Sequence, residues 1–170
     1  MAPLVRRTWS PRGVTPVLDQ HGGRREKITM VGALSISPKR RHVGLYYSLG
    51  PSQNFDTDWA EGFIRALARH LRGPIIVIWD QLGAHKAVVN RPAIRANSRL
   101  HFVLLPPYAP ELNPVELWWS YLKMNSLANF TPYDVDELCR CARRHTTRIR
   151  SRQELLRSFF DGTPLPLRLY

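Results

Sequence analysis

Two short apolar runs, each ending at a loop that carries an acid, constrain this chain more than any other feature. Gly73-Pro-Ile-Ile-Val-Ile-Trp-Asp80 is rich in β-branched residues and bounded by Gly-Pro. Such a run reads as a buried strand with Asp80 at its carboxyl end, where open α/β sheets place ligand chemistry. His101-Phe-Val-Leu-Leu105 repeats the pattern. The proline-rich loop Pro106-Pro-Tyr-Ala-Pro-Glu-Leu-Asn-Pro-Val-Glu116 then feeds a helix in which Asn113 suits the N-cap, Pro114 the first position and Glu116 the first turn. A strand, a crossover and a helix thus bring Asp80 and Glu116, 36 positions apart, to one edge of a sheet.

Paired carboxylates suit a hard cation such as Mg²⁺, which binds through one or two carboxylates and keeps several waters. Each acid also has a purely structural reading. Glu116 follows Asn113 at capping-box spacing, and Asp80 can open a turn and cap the next helix.

Longer stretches resemble a known family. Trp79-Asp-Gln-Leu-Gly-Ala-His85, followed by Leu105-Pro-Pro-Tyr-Ala-Pro-Glu-Leu-Asn-Pro-Val-Glu-Leu-Trp-Trp119, resembles the catalytic core of mariner-like DDE transposases, in their bacterial insertion-sequence branch. Arg7-Thr-Trp-Ser-Pro-Arg-Gly-Val-Thr-Pro16 and Met30-Val-Gly-Ala-Leu34 resemble the same branch. The resemblance implies a ribonuclease-H-like α/β fold, a mixed sheet flanked by helices. It also implies Mg²⁺- or Mn²⁺-dependent cleavage and strand transfer of DNA by a homo-oligomer, with Asp80 and Glu116 as metal-binding catalytic acids. His85 matches the family's histidine after the second acid, where it contacts a phosphate or orients water; the bland reading is a histidine with one hydrogen bond. Gln81 stands where the family often has Asn.

The first catalytic Asp of that family lies on an opening strand upstream of the Arg-Thr-Trp segment. Only eight residues precede Trp9 here and none is acidic, so no residue matches it. Asp19, beside Gln20-His-Gly-Gly23, reads as a turn residue. The expectation is a core lacking its first strand and, alone, its full acid set. The rival reading is a basic nucleic-acid-binding remnant without chemistry, and a weaker third is another ribonuclease-H-like nuclease.

With 170 residues, 44% of them apolar, the chain suits one domain, here residues 1–165 with a tail at 166–170. Cys139 and Cys141 would point some 200° apart on a helix and read as plain thiols in a reducing compartment. No run approaches membrane-spanning length, and a cytoplasmic protein is expected.

The formal net charge is +12. Residues 1–41 hold nine Lys/Arg against two acids and residues 140–170 hold eight against two, while the middle is nearly balanced. Basic flanks around an acidic centre suit binding of a phosphate backbone, or equally an arginine-rich solvated face. Lys86 and Lys123 are further phosphate contacts on this reading, Lys123 because it lies seven positions after Glu116 on a helix.

Along the chain, Val5–Leu18 reads as a two-strand hairpin, and Lys27–Ser37 and His42–Leu49 as an antiparallel pair around a Pro38–Arg41 turn. An amphipathic helix capped at Asp56 or Thr57 follows, carrying Trp59 and Phe63 as core anchors. A polar helix precedes His101, Trp118 and Trp119 pack on the sheet, and two helices end the chain, the first with an arginine-rich outer face. Loss of a central strand would leave open edges and promote self-association.

Overall fold

A computed structural model describes residues 5–18, 27–165 and 167–169. Its elements run β1 (Ile28–Ile36), β2 (Val43–Pro51), α1 (Thr57–His70), β3 (Ile75–Trp79), α2 (Gly83–Val89), α3 (Pro92–Arg95), β4 (Leu100–Leu104), α4 (Pro114–Tyr121), α5 (Val135–Arg150) and α6 (Gln153–Asp161). A short 3₁₀ turn, Pro110–Leu112, leads into α4, and a π turn, Leu122–Ser126, prolongs it.

The strands form two separate two-stranded sheets. β1 and β2 are antiparallel, with Ile28 opposite Pro51 and Ile36 opposite Val43. Their connection closes through Arg40 at φ 55°, with its amide donating to the Ser37 carbonyl. β3 and β4 are parallel, with Ile75 opposite Leu100 and Trp79 opposite Leu104.

Alternation along β1 and β2 sends their side chains to two cores. On one face Val43 and Leu45 join Trp118, Leu122, Ile149, Leu156, Phe159 and Phe160, so α4, α5 and α6 cover that side. Gly32 makes room for this: a Cβ there would meet the Trp118 ring at 2.1 Å. On the other face Ala33 and Tyr46 pack into a core built on Ala60, Ile64 and Leu67 of α1, together with Trp79, Val88 and Ile94. α1 therefore spans both sheets. The Asp56 carboxylate caps it by accepting from the Trp59 amide. At its far end the Arg99 guanidinium donates to the carbonyls of Ala68, Leu71 and Gly73.

Several expectations change. Residues 5–18 form no strand. Pro11 and Pro16 withhold ladder donors, and the segment is fixed instead by Arg6, whose amide donates to Asn129 Oδ1 and whose carbonyl accepts from Asn129 Nδ2. β3 is not a fully buried strand: Ile76 and Ile78 are 66% and 60% exposed, because α1, α2 and α3 cover only the opposite face of its sheet. The polar helix after Asp80 is two helices, divided where Pro92 starts α3. The expected turn at Asp19 and the loop to Glu26 lie outside the described residues. The expected tail contributes Leu167 and Leu169 to the α4–α6 core.

Candidate active site

The parallel pairing of β3 and β4 places their carboxyl ends side by side. The Leu105 amide donates to the Trp79 carbonyl at 2.8 Å, and Gln81 Nε2 donates to the Leu105 carbonyl at 3.0 Å. Asp80 follows directly from β3 at this end. The loop leaving β4 at the same end leads through the 3₁₀ turn into α4, which carries Glu116 on its first turn. Topology thus assigns both acids to segments leaving one end of the β3–β4 sheet.

Asp80 is 53% exposed at its side chain and already partly engaged. Its Oδ1 accepts from the Leu82 amide at 3.0 Å and meets His85 Nδ1 at 2.6 Å. The first contact is the turn-forming role foreseen for an Asp here; the second orients the histidine. His85 is clamped from three sides, for its ring stacks on Trp79 at 4.5 Å and 5° and meets Phe55 edge-on at 5.5 Å. The structure brings His85 to Asp80, where Nδ1 makes the one hydrogen bond of its bland reading. Trp79 and Phe55 escaped the sequence reading, although a Trp immediately before the acid was a usable signal.

Glu116 is exposed, and its carboxylate has no hydrogen bond or ion pair among the described residues. The capping-box alternative does not hold. Asn113 Oδ1 accepts from the Val115 amide at 3.2 Å, and the Asn113 amide donates to the Pro110 carbonyl at 2.9 Å instead of to the Glu116 carboxylate. The acid is left without a structural employment.

Lys86 on α2 and Lys123 in the π turn are both exposed, without hydrogen-bond or ion-pair partners among the described residues. Lys123 lies in the π turn that prolongs α4, seven positions after Glu116. Asp58 and Glu61 of α1 are taken by Arg91, at 2.5 and 3.8 Å, which ties α1 to the segment between α2 and α3.

The donors fit a hard cation in kind: among the described residues Asp80 Oδ2 and both Glu116 oxygens accept no hydrogen bond. No cluster of three or more His, Cys, Asp or Glu able to hold a metal occurs among the described residues. Within the same limits, no helix is long and apolar enough to cross a membrane. Both cysteines are free, Cys139 buried and Cys141 half-buried. Burial raises both thiols above the usual value.

Comparison with known proteins adds three findings. The sequence profile of the DDE superfamily endonucleases matches residues 2–139. The uncharacterized protein y4pE/y4sA of Sinorhizobium fredii (strain NBRC 101917 / NGR234) is 35% identical over 63 residues, covering 37% of this chain and 44% of that protein. A chain in the crystal structure of the Mos1 strand transfer complex superposes with a TM-score of 0.61 at 15% identity, over 94% of this chain and 46% of that one. The chain therefore spans under half the length of each. The fold shared with the latter is ribonuclease-H-like.

Proposed function

The chain belongs to the DDE superfamily of endonucleases, and from that premise we propose that it is the catalytic domain of a transposase that cuts and rejoins DNA. The observation that carries this reading is the placement of Asp80 and Glu116 on the two segments leaving one end of the β3–β4 sheet, with Glu116 free of any capping role.

On this reading Asp80 and Glu116 hold Mg²⁺ or Mn²⁺, and the bound cation supplies positive charge for an attacking oxygen and a leaving oxygen at phosphorus. The rest follows from the chain's own groups. His85, held between Trp79 and Phe55, fixes the Asp80 rotamer by holding Oδ1 and leaves Oδ2 without a hydrogen bond among the described residues. Its Nδ1 serves as donor in that contact, so the other ring nitrogen is the acceptor in the neutral ring. Lys86 and Lys123 supply positive charge for the DNA backbone. In the reaction water adds to a phosphodiester and the bond to the 3′ oxygen breaks, freeing a 3′-hydroxyl. That hydroxyl then attacks a target phosphodiester, whose own 3′ oxygen leaves.

The matched motifs supply two of the three family acids. Residues 1–165 carry these two acids on one catalytic domain. Its partners are transposon-end and target DNA and further copies of itself, and its compartment is the cytoplasm.

Nicking of supercoiled plasmid in Mn²⁺ tests the proposal, with this chain and with a version extended by an acid-bearing upstream strand. Nicking by the extended protein should fall by about 10²-fold or more on Asp80→Asn or Glu116→Gln, as losses of groups that stabilise transition-state charge do. Nicking that survives both substitutions would remove these acids from the chemistry. Salt-sensitive DNA binding without any metal-dependent nicking would favour the non-catalytic module.

A further inference from the structure

α5 carries a charge arrangement that the acid site does not use. Leu138, Cys139, Ala142, Thr146 and Ile149 bury one face of this helix. The other presents Arg140, Arg143, Arg144 and Arg148, all exposed. Arg140, Arg144 and Arg148 follow at four-residue steps, about 6 Å apart along the axis.

Among the described residues none of these four guanidiniums has an ion pair or a hydrogen bond. Neighbouring arginines are spoken for: Arg150 lies 5.8 Å over the Tyr46 ring, Arg152 reaches Tyr121 Oη, and Arg157 donates to the Arg41 carbonyl. The acids of α5, Asp136 and Glu137, stand at its first turn, where they suit the helix N-terminus. A row of like charges at i, i+4 spacing costs helix stability rather than adding to it. Four unpaired arginines on one face are therefore an expense without a return inside the domain. The same row lies beyond residue 139, where the match to the DDE superfamily ends.

We infer that the Arg140–Arg144–Arg148 row of α5, with Arg143 beside it, is a track for the phosphate backbone of duplex DNA. The inference rests on the DNA-processing reading above but uses none of its chemistry. The row spans about 12 Å, a length of duplex that carries about seven negative charges. Arginine forks match phosphate oxygens in pairs and need no base sequence. Duplex DNA is preferred over a lipid surface because the face offers four arginines but no exposed apolar side chain to enter a bilayer.

The test is equilibrium binding of a labelled DNA duplex in EDTA, between about 50 and 200 mM salt. The protein carries Asp80→Asn so that cleavage is excluded from the outset. The triple variant Arg140→Ala/Arg144→Ala/Arg148→Ala should flatten the slope of log affinity against log salt by about 2 to 3, near 0.9 for each phosphate that is no longer neutralised. The corresponding triple Lys variant should keep the slope, and all proteins should keep their helical circular dichroism. An unchanged slope in the Ala triple overturns the inference. So does tighter binding of duplex RNA than DNA, or a triple variant that loses only its binding to phosphatidylserine vesicles. Absence of nicking in the active-site experiments leaves this result unaffected, so the two readings fail separately.

Discussion

At the scale of single residues, Gly32 and His85 show how little space surrounds the parts that matter. Gly32 faces Trp118, which is fully buried, and a Cβ would come within 2.1 Å of one ring carbon and 2.8 Å of another. The ring is fully buried in a core shared with Leu122, Leu156 and their neighbours. Gly32→Ala should therefore cost about 1–3 kcal/mol, as overpacking of filled cores does. Denaturant unfolding measures it, and a loss below about 0.5 kcal/mol would mean that the ring moves aside. His85 teaches a different point. The family resemblance offered a phosphate contact and the residue alone a histidine with one hydrogen bond; the geometry gives that bond a partner, the Asp80 carboxylate, with the ring stacked on Trp79.

At the scale of the element, α5 combines an ordinary beginning with an unusual face. Asp134 caps it by accepting from the Glu137 amide at 2.6 Å, and the Glu137 carboxylate returns to the Tyr133 amide. Half-buried among the arginines, His145 has its pKa lowered from 6.5, first by burial and then by Arg148 and Arg144. Both effects disfavour its imidazolium form. The unfolded chain then takes up a proton at a pH where the folded chain does not. His145 thus contributes stability that is whole above pH 6.5 and is lost as pH falls through the folded-state value. The melting temperature of His145→Gln should depend less on pH below 6.5 than that of the parent, and equal pH dependence would contradict the assignment. Phosphates laid along Arg144 and Arg148 should raise the His145 pKa again, which an NMR titration with and without duplex DNA reads directly.

Over the whole molecule, the two sheets share one helix and differ in their cover. The β1–β2 pair is sandwiched between α1 and the α4–α6 layer. The β3–β4 pair has α1, α2 and α3 on one face and leaves Ile76, Ile78 and Val103 on the other, between 49% and 66% exposed. Each sheet has only two strands, so each of the four strands keeps one edge outside any pairing among the described residues. Exposed apolar rows beside open edges promote association between chains. The protein should elute from size exclusion as more than a monomer at micromolar concentration. Ile76→Thr/Ile78→Thr should shift it toward monomer while keeping strand propensity. A monodisperse parent monomer would count against this account.

Local order was legible from the sequence where chemistry and period agreed. Asn113, and Asp56 of the pair Asp56 or Thr57, stood before proline-led or apolar helical runs and do cap α4 and α1, because capping is a matter of a few neighbouring residues. The runs at 28–36, 43–51, 75–79 and 100–104 are strands because β-branched and apolar side chains recur there without a helical period. The motif around Asp80 and Glu116 placed the chain in its superfamily. Burial across a face, pairing between distant segments and the partner of an ionisable group depend on what arrives from elsewhere in the chain. The hairpin expected at 5–18 gave way to a clasp with Asn129, more than a hundred residues later. The buried strand before Asp80 became a half-covered one, since no local pattern tells how many layers will form. His85 acquired its stack and its carboxylate only when strand and helix were folded together. Local free energies of a kilocalorie or so decide caps and turns, whereas solvent exclusion over a whole surface decides the rest.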